Sequence, residues 1–258
     1  MEKIEMKRGF YFYKYVSKEV AISIISNGTL MFSNPLKFND PFDIAPTFPV
    51  LGRSKNYKMV LSHHGIKPKA YGKEKKRVIE KINAEDMRNG LLKDWSVTCF
   101  SKSPFILPLW AHYAENHTGC VLEFKVTEEV NRFIETRSEQ SYLQSDILYP
   151  LPVCYSQKRP VGYDANGNVT EQIALNMMLT KDTAWSYEQE MRCFKSGVAG
   201  LYPFRKDQLH RVYCGLKLED TCLEEIRSVI NEYKNKHSVQ IKLDRVHLDR
   251  DEFKMTKL

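Results

Sequence analysis

The strongest constraint in this sequence is a series of short runs rich in aromatic and β-branched residues, spread over most of the chain. F-Y-F-Y-K-Y-V (10–16), T-L-M-F-S (29–33), W-S-V-T-C-F-S (95–101), C-V-L-E-F-K-V (120–126), L-P-V-C-Y-S (151–156), Y-P-F (202–204), V-Y-C-G-L-K-L (212–218) and V-Q-I-K-L-D-R-V-H-L (239–248) all read as strands. Helical spacing is confined to a few, mostly short stretches. K-E-V-A-I-S-I-I follows Ser17 as a cap and stops at Asn27-Gly28. P-L-W-A-H-Y-A-E-N (108–116), T-E-Q-I-A-L-N-M-M-L-T-K-D (170–182) and T-C-L-E-E-I-R-S-V-I-N-E-Y (221–233) are the others outside the basic region. Strands this numerous, with so few helices between them, predict an α+β domain of mixed or antiparallel sheets. A G-x-G-x-x-G turn and a phosphate-binding G-x-x-x-x-G-K-[ST] loop are both missing, so neither dinucleotide nor P-loop site types are supported.

A chain of 258 residues, 42% hydrophobic, can bury a substantial core and is expected to form a single domain over 1–258. M-E-K-I-E-M-K-R at the start is charged, and no run approaches about 18 apolar residues. No membrane association and a cytoplasmic location are therefore expected. The six cysteines, at 99, 120, 154, 193, 214 and 222, show no C-x-x-C spacing, which suits free thiols in a reducing compartment. Charge is unevenly placed. Between Arg53 and Lys93 stand twelve Lys/Arg and four Asp/Glu, enough to account for the formal net charge of +7. This basic, mostly helical insertion (53–94) points to an anionic partner, with nucleic acid leading, or else to a solvated helical face.

Three places could carry chemistry. In A-W-S-Y-E-Q-E-M-R (184–192), a strand would align Ser186, Glu188, Glu190 and Arg192 on one face, and Trp185, Tyr187 and Met191 on the other. A helix would instead join Glu188 and Arg192 as an i,i+4 pair. Two adjacent carboxylates suit chemistry at a sugar C1 carbon, one stabilising positive charge and the other polarising a nucleophile. In W-A-H-Y-A-E-N-H (110–117), Trp110, Tyr113 and His117 fall near one helical face with His112 beside it, either as core or as a wall for a flat heterocycle. His112 and His117 are five apart, a spacing that suits no metal, and none is expected. The loop N-P-L-K-F-N-D-P-F-D (34–43) offers aromatic rings and amide donors, with Asp40 and Asp43 bracing it by Asx-type bonds. Ser101 lies outside any G-x-S-x-G elbow.

Taken in order, K-Y, N-G-T-L-M-F-S-N-P-L-K-F-N-D-P-F-D, C-F-S, L-W-A-H-Y-A-E-N-H-T-G-C-V-L-E-F and W-S-Y-E-Q-E-M-R resemble a bacterial family of unknown function. That family is found in abortive-infection and toxin–antitoxin settings, and the resemblance spans roughly residues 11–217 without the basic block. Its layout is similar to the ADP-ribosyltransferase fold, a split β-sandwich that clamps NAD. The resemblance implies that Lys14 or Tyr15 takes the first-strand role, and Ser101 or Tyr113 the second. It implies that Glu190 is the catalytic carboxylate at the nicotinamide ribose, with Glu188 orienting the acceptor. Lys14 stands where a His or Arg is expected. Phe38, Phe42, Trp110 and Tyr113 would wall the NAD cleft. Ser33, Asn34, Asn39, His112 and Arg192 would add polar contacts. The expected function is an NAD-dependent ADP-ribosyltransferase effector of toxin or anti-phage type, modifying RNA or DNA in preference to protein. An NAD glycohydrolase and a non-enzymatic nucleic-acid-binding module are the alternatives, and an antitoxin or chaperone is an expected protein partner.

Overall fold

The computed structural model describes residues 9–47, 87–136, 143–162 and 169–257. Its strands are β1 (Phe10–Val16), β2 (Thr29–Phe32), β3 (Trp95–Ser101), β4 (Cys120–Val126), β5 (Leu151–Pro152) and β6 (Cys154–Tyr155). They continue as β7 (Thr180–Lys181), β8 (Glu190–Ser196), β9 (Gly200–Pro203), β10 (Leu209–Cys214), β11 (Lys242–Leu248) and β12 (Met255–Lys257). The helices are α1 (Lys18–Asn27), α2 (Met87–Leu92), α3 (Leu107–His112), α4 (Glu128–Thr136), α5 (Glu171–Met178) and α6 (Asp220–His237). The architecture is α+β, as the strand-rich pattern predicts. Of the basic segment 53–94, residues 53–86 lie outside the described residues. Among the described residues no helix is long and apolar enough to cross a membrane.

The chain divides into two compact units. The first takes in the described parts of Met1–Ser33, Ser96–Pro152 and Tyr187–Leu258. Its centre is an eight-stranded sheet in the order β12-β11-β10-β4-β1-β3-β8-β5. The sheet is mixed: β1 runs antiparallel to β3 and β4, whereas β10 and β11 are parallel. A parallel pair needs a crossover, and α6 supplies it between β10 and β11. A separate antiparallel pair joins β2 and β9.

Both faces of the large sheet are covered, which explains why C-V-L-E-F-K-V reads as an almost unbroken apolar run. On one face Phe12, Val16, Leu122, Phe124 and Val212 pack with Ile24 and Ile25 of α1 and Ile226, Ile230 and Tyr233 of α6. Phe12 lies edge-on to Phe100 at 4.8 Å and stacks on Phe124 at 5.6 Å, both between ring centroids. Phe12 is fully buried, and its replacement by alanine costs about 3–5 kcal/mol for such a site. On the other face Tyr15, Val121, Tyr213 and Val246 pack with Leu109 and Trp110 of α3. The alternation within β1 thus divides its side chains between two cores.

α1 begins where Ser17 accepts the Val20 N–H and ends at Gly28, whose N–H reaches Ile24 O at 2.8 Å. Gly28 has φ of 63°, and a Cβ there would meet Lys206 Nζ, which donates to the Gly28 carbonyl at 2.9 Å.

The second unit takes in the described parts of Asn34–Trp95 and Val153–Ser186. Its one regular pairing among the described residues is the short parallel ladder of β6 and β7. Backbone around residues 43–46 has few ladder partners, and two arginines take its carbonyls instead. Arg88 donates to Asp43 O and Ile44 O, and Arg159 to Ala45 O and Pro46 O. L-P-V-C-Y-S, expected as one strand, is two: Leu151 and Pro152 pair with β8, whereas Cys154 and Tyr155 pair with β7.

Candidate functional site

The stretch 184–192 is not a single strand. Thr183–Glu188 forms a 3₁₀ turn, Gln189 has φ of 48°, and β8 starts only at Glu190. Asp182 opens the turn by accepting the Ala184 N–H at 2.8 Å. Its exit is pinned by Ser101, whose hydroxyl donates to Glu188 O at 2.7 Å, and by Lys102 N–H to Gln189 O at 3.0 Å. Period-two alternation therefore holds from Glu190 onward. Met191 and Cys193 enter the core of one sheet face, and Glu190 and Arg192 take the other. Glu188 leaves from a different backbone geometry and accepts the Tyr113 hydroxyl at Oε1, 3.1 Å away.

Glu190 and Arg192 form a bidentate pair. Arg192 Nε donates to Oε1 at 2.6 Å and Nη2 to Oε2 at 3.0 Å, with Arg192 completely buried and Glu190 4% exposed. The geometry holds the carboxylate plane in one orientation. Cys99 lies next to it on β3; burial and then the Glu190 carboxylate push its thiol well above the usual range, so it stays protonated.

Strand register extends this polar surface across the sheet. Tyr13 of β1 stands opposite Ser101 on one side and Glu123 on the other, and Glu123 stands opposite Arg211. Glu123 is 5% exposed and accepts the Tyr213 hydroxyl at 2.9 Å and a bond from Tyr13. Arg211 Nε lies 3.3 Å from Glu123 Oε1, and Arg211 also pairs with Asp244. Burial, reinforced by Glu123, raises both tyrosine hydroxyls far above 10.0. Sequence reading missed Tyr13, Glu123 and Arg211. The signal was present: a lone carboxylate inside an apolar run has to find donors across the sheet.

The other expected site residues are dispersed. Tyr15 lies on the Glu190 face, 9% exposed, its hydroxyl donating to Ser103 O at 2.8 Å and accepting the Ile106 N–H. Lys14 points to the opposite face. Its amine donates to Thr98 Oγ1 at 2.9 Å and Cys99 O at 3.0 Å and lies over the Phe100 ring, and burial lowers its pKa. Trp110 is fully buried, donates to Pro104 O, and packs against Tyr15 and His117. Tyr113 and His112 are exposed, their rings 6.4 Å apart. Trp110 and Tyr113 thus part, one buried and the other exposed, and the helix ends at His112 with Tyr113 as its C-cap. Ser33 bridges Val97 through paired backbone bonds at the end of β2.

Asn34, Phe38, Asn39 and Phe42 belong to the second unit. Asn34 caps the Pro35–Lys37 turn by accepting the Leu36 N–H, and its amide donates to Leu92 O and Lys93 O. Asn39 accepts the Asp40 N–H, and Asp40 braces the loop through Phe42 N–H as expected. Asp43 is buried, with Lys181 Nζ 3.8 Å away. Phe42 is 63% exposed, with the Arg159 guanidinium 5.8 Å from its ring centre. Among the described residues no group of His, Cys, Asp and Glu is arranged to hold a metal ion.

Residues 109–193, less than half of the chain, match a family model described as a protein of unknown function (DUF2971). The matched span runs from α3 through Glu188, Glu190 and Arg192 to Cys193. No curated protein and no solved structure matches the chain.

Proposed function

We propose that the first unit is an ADP-ribosyltransferase-like split sandwich, its large sheet facing the small β2/β9 sheet, that transfers ADP-ribose from NAD to nucleic acid. The observation that carries this reading is strand order. β1, β3 and β8 lie side by side, so Tyr15, Ser101 and Glu190 share one face of three adjacent strands, in the order the family resemblance requires. In this reading Tyr15, not Lys14, takes the first-strand role, because Lys14 leaves from the other face.

The chemistry follows from the groups present. The bond between nicotinamide and ribose C1′ breaks with its electron pair leaving on nicotinamide, which neutralises the ring. A carboxylate at the ribose hydroxyls stabilises the oxocarbenium-like centre that remains. Glu190, oriented by Arg192, has that role. Glu188 receives the proton from the attacking acceptor oxygen or nitrogen, and the half-exposed Tyr113 hydroxyl holds it in place. The surplus of Lys and Arg in segment 53–94 favours nucleic acid over protein as the acceptor. Release of such activity in a cell would make the protein a toxin-type defence effector requiring a neutralising partner.

The test is incubation of the protein with adenylate-labelled NAD and separated total RNA, DNA and protein. Label on nucleic acid, equimolar release of nicotinamide and loss of both in Glu188→Gln are expected. Nicotinamide release without labelled polymer selects the glycohydrolase reading. Intact NAD after incubation with every fraction sinks the proposal.

A further inference from the structure

The second unit contains a cavity of about 190 Å³, lined in part by Phe42, Ser156, Lys158, Arg159, Thr180 and Lys181. Its walls are the segment that follows β6 and the end of β7, that is, the carboxyl ends of the parallel pair. The cavity is smaller than the roughly 300–1,000 Å³ that enclose a drug-sized molecule, so it suits one compact group.

Charge decides which group. Arg159 directs Nε and Nη2 to the carbonyls of Ala45 and Pro46, so its positive charge is fixed in place by neutral partners. Neither Arg159 nor the exposed Lys158 forms an ion pair with a carboxylate among the described residues. Lys181 contributes a third cation, balanced by buried Asp43. The lining carboxylate, Asp182, is turned to the Ala184 N–H, where it opens the 3₁₀ turn. The hydroxyls of Ser156 and Thr180 donate to local carbonyls, of Lys158 and Asn176, which leaves recognition to the cationic heads. The exposed ring of Phe42 stands at the same cavity, under the Arg159 guanidinium. A dianionic group beside a flat ring matches that pairing.

We propose that this cavity is a nucleotide subsite in which Lys158 and Arg159 bind a terminal phosphate monoester and Phe42 packs against the attached nucleoside. It lies within the second unit and does not rest on the NAD reading. Two sources present the same chemistry, a free mononucleotide and the phosphorylated end of a nucleic-acid strand.

Calorimetric titration of the full chain tests it, with AMP, adenosine, and one oligonucleotide carrying either a 5′-phosphate or a 5′-hydroxyl. AMP is expected to bind at least about tenfold more tightly than adenosine, the scale of one charge-assisted contact. Lys158→Glu, at an exposed position, is expected to weaken AMP by a similar factor. Phe42→Ala is expected to weaken AMP while leaving inorganic phosphate unchanged. A preference for the phosphorylated oligonucleotide with weak AMP binding assigns the strand end as the source. Equal binding of AMP and adenosine together with equal binding of the two oligonucleotides, or wild-type affinity in folded Lys158→Glu, overturns the proposal.

Discussion

Arg192 grips Glu190 from two positions along the same strand, through two N–H···O bonds of 2.6 and 3.0 Å. Both side chains are buried, so the pair acts on stability as well as on the direction of the carboxylate. Removing one partner of such a pair leaves a buried charge without its counterpart. Arg192→Met is therefore expected to lower unfolding free energy by about 3–5 kcal/mol, read from urea denaturation. Glu190→Gln keeps the shape and an acceptor oxygen but leaves the buried guanidinium without its counter-charge, so it too is expected to lower stability. Equal stability of wild type and Arg192→Met would show that the pair contributes nothing net.

Tyr113 separates function from fold. Its ring is 45% exposed and its hydroxyl donates to Glu188 at 3.1 Å. Tyr113→Phe is expected to change stability by no more than about 0.5 kcal/mol, as for exposed positions generally. Initial rates of NAD-dependent labelling are expected to fall by about tenfold or more, the size of one hydrogen bond to a charged group. Comparing the rates with the urea midpoint distinguishes a positioning hydroxyl from a structural one.

Lys14 gives a pH signature. Burial lowers its pKa below 10.5, so in the interval between the folded and unfolded values the folded chain binds fewer protons. The contribution of Lys14 to stability then rises with pH across that interval, is complete above 10.5 and falls away toward neutral pH. Lys14→Met removes this dependence. The difference in unfolding free energy between variant and wild type is expected to shift in favour of wild type as pH rises from 7 toward about 10. A pH-independent difference would contradict a buried, destabilised ammonium.

The tyrosines around Glu123 act in the opposite sense. Tyr13 and Tyr213 are raised above 10.0 by burial and by Glu123, so the stability they add is present below that value and is lost as pH rises through the higher folded values. Tyr213→Phe also withdraws a donor from a buried carboxylate, at a cost of about 1.5–3 kcal/mol near neutrality. Urea midpoints are expected to show both the loss at pH 7 and a shallower decline above pH 10.

The local elements were legible because their causes are local. Ser17 and Gly28 bound α1 through their own side chain and backbone freedom, and Thr170 caps α5 by accepting the Ile173 N–H. β1, β3 and β4 are read from residue type, since branched and aromatic side chains favour a pleated, packed surface. L-P-V-C-Y-S was misread as one strand because its two halves pair with different partners, which no local preference records.

For the site, the order of residues along the chain is enough to single out Glu188, Glu190 and Arg192. What these side chains face depends on contacts made by segments far away in sequence. Ser101 and Lys102, far away in sequence, pin a turn at Glu188 and Gln189, so the two glutamates leave from different backbone geometries. Strand order then set Tyr13 between Ser101 and Glu123, and Glu123 opposite Arg211, a polar row whose members are separated by up to about two hundred residues. Side-chain alternation is a property of one strand, whereas register belongs to a pair of strands and is set by burial of both sheet faces.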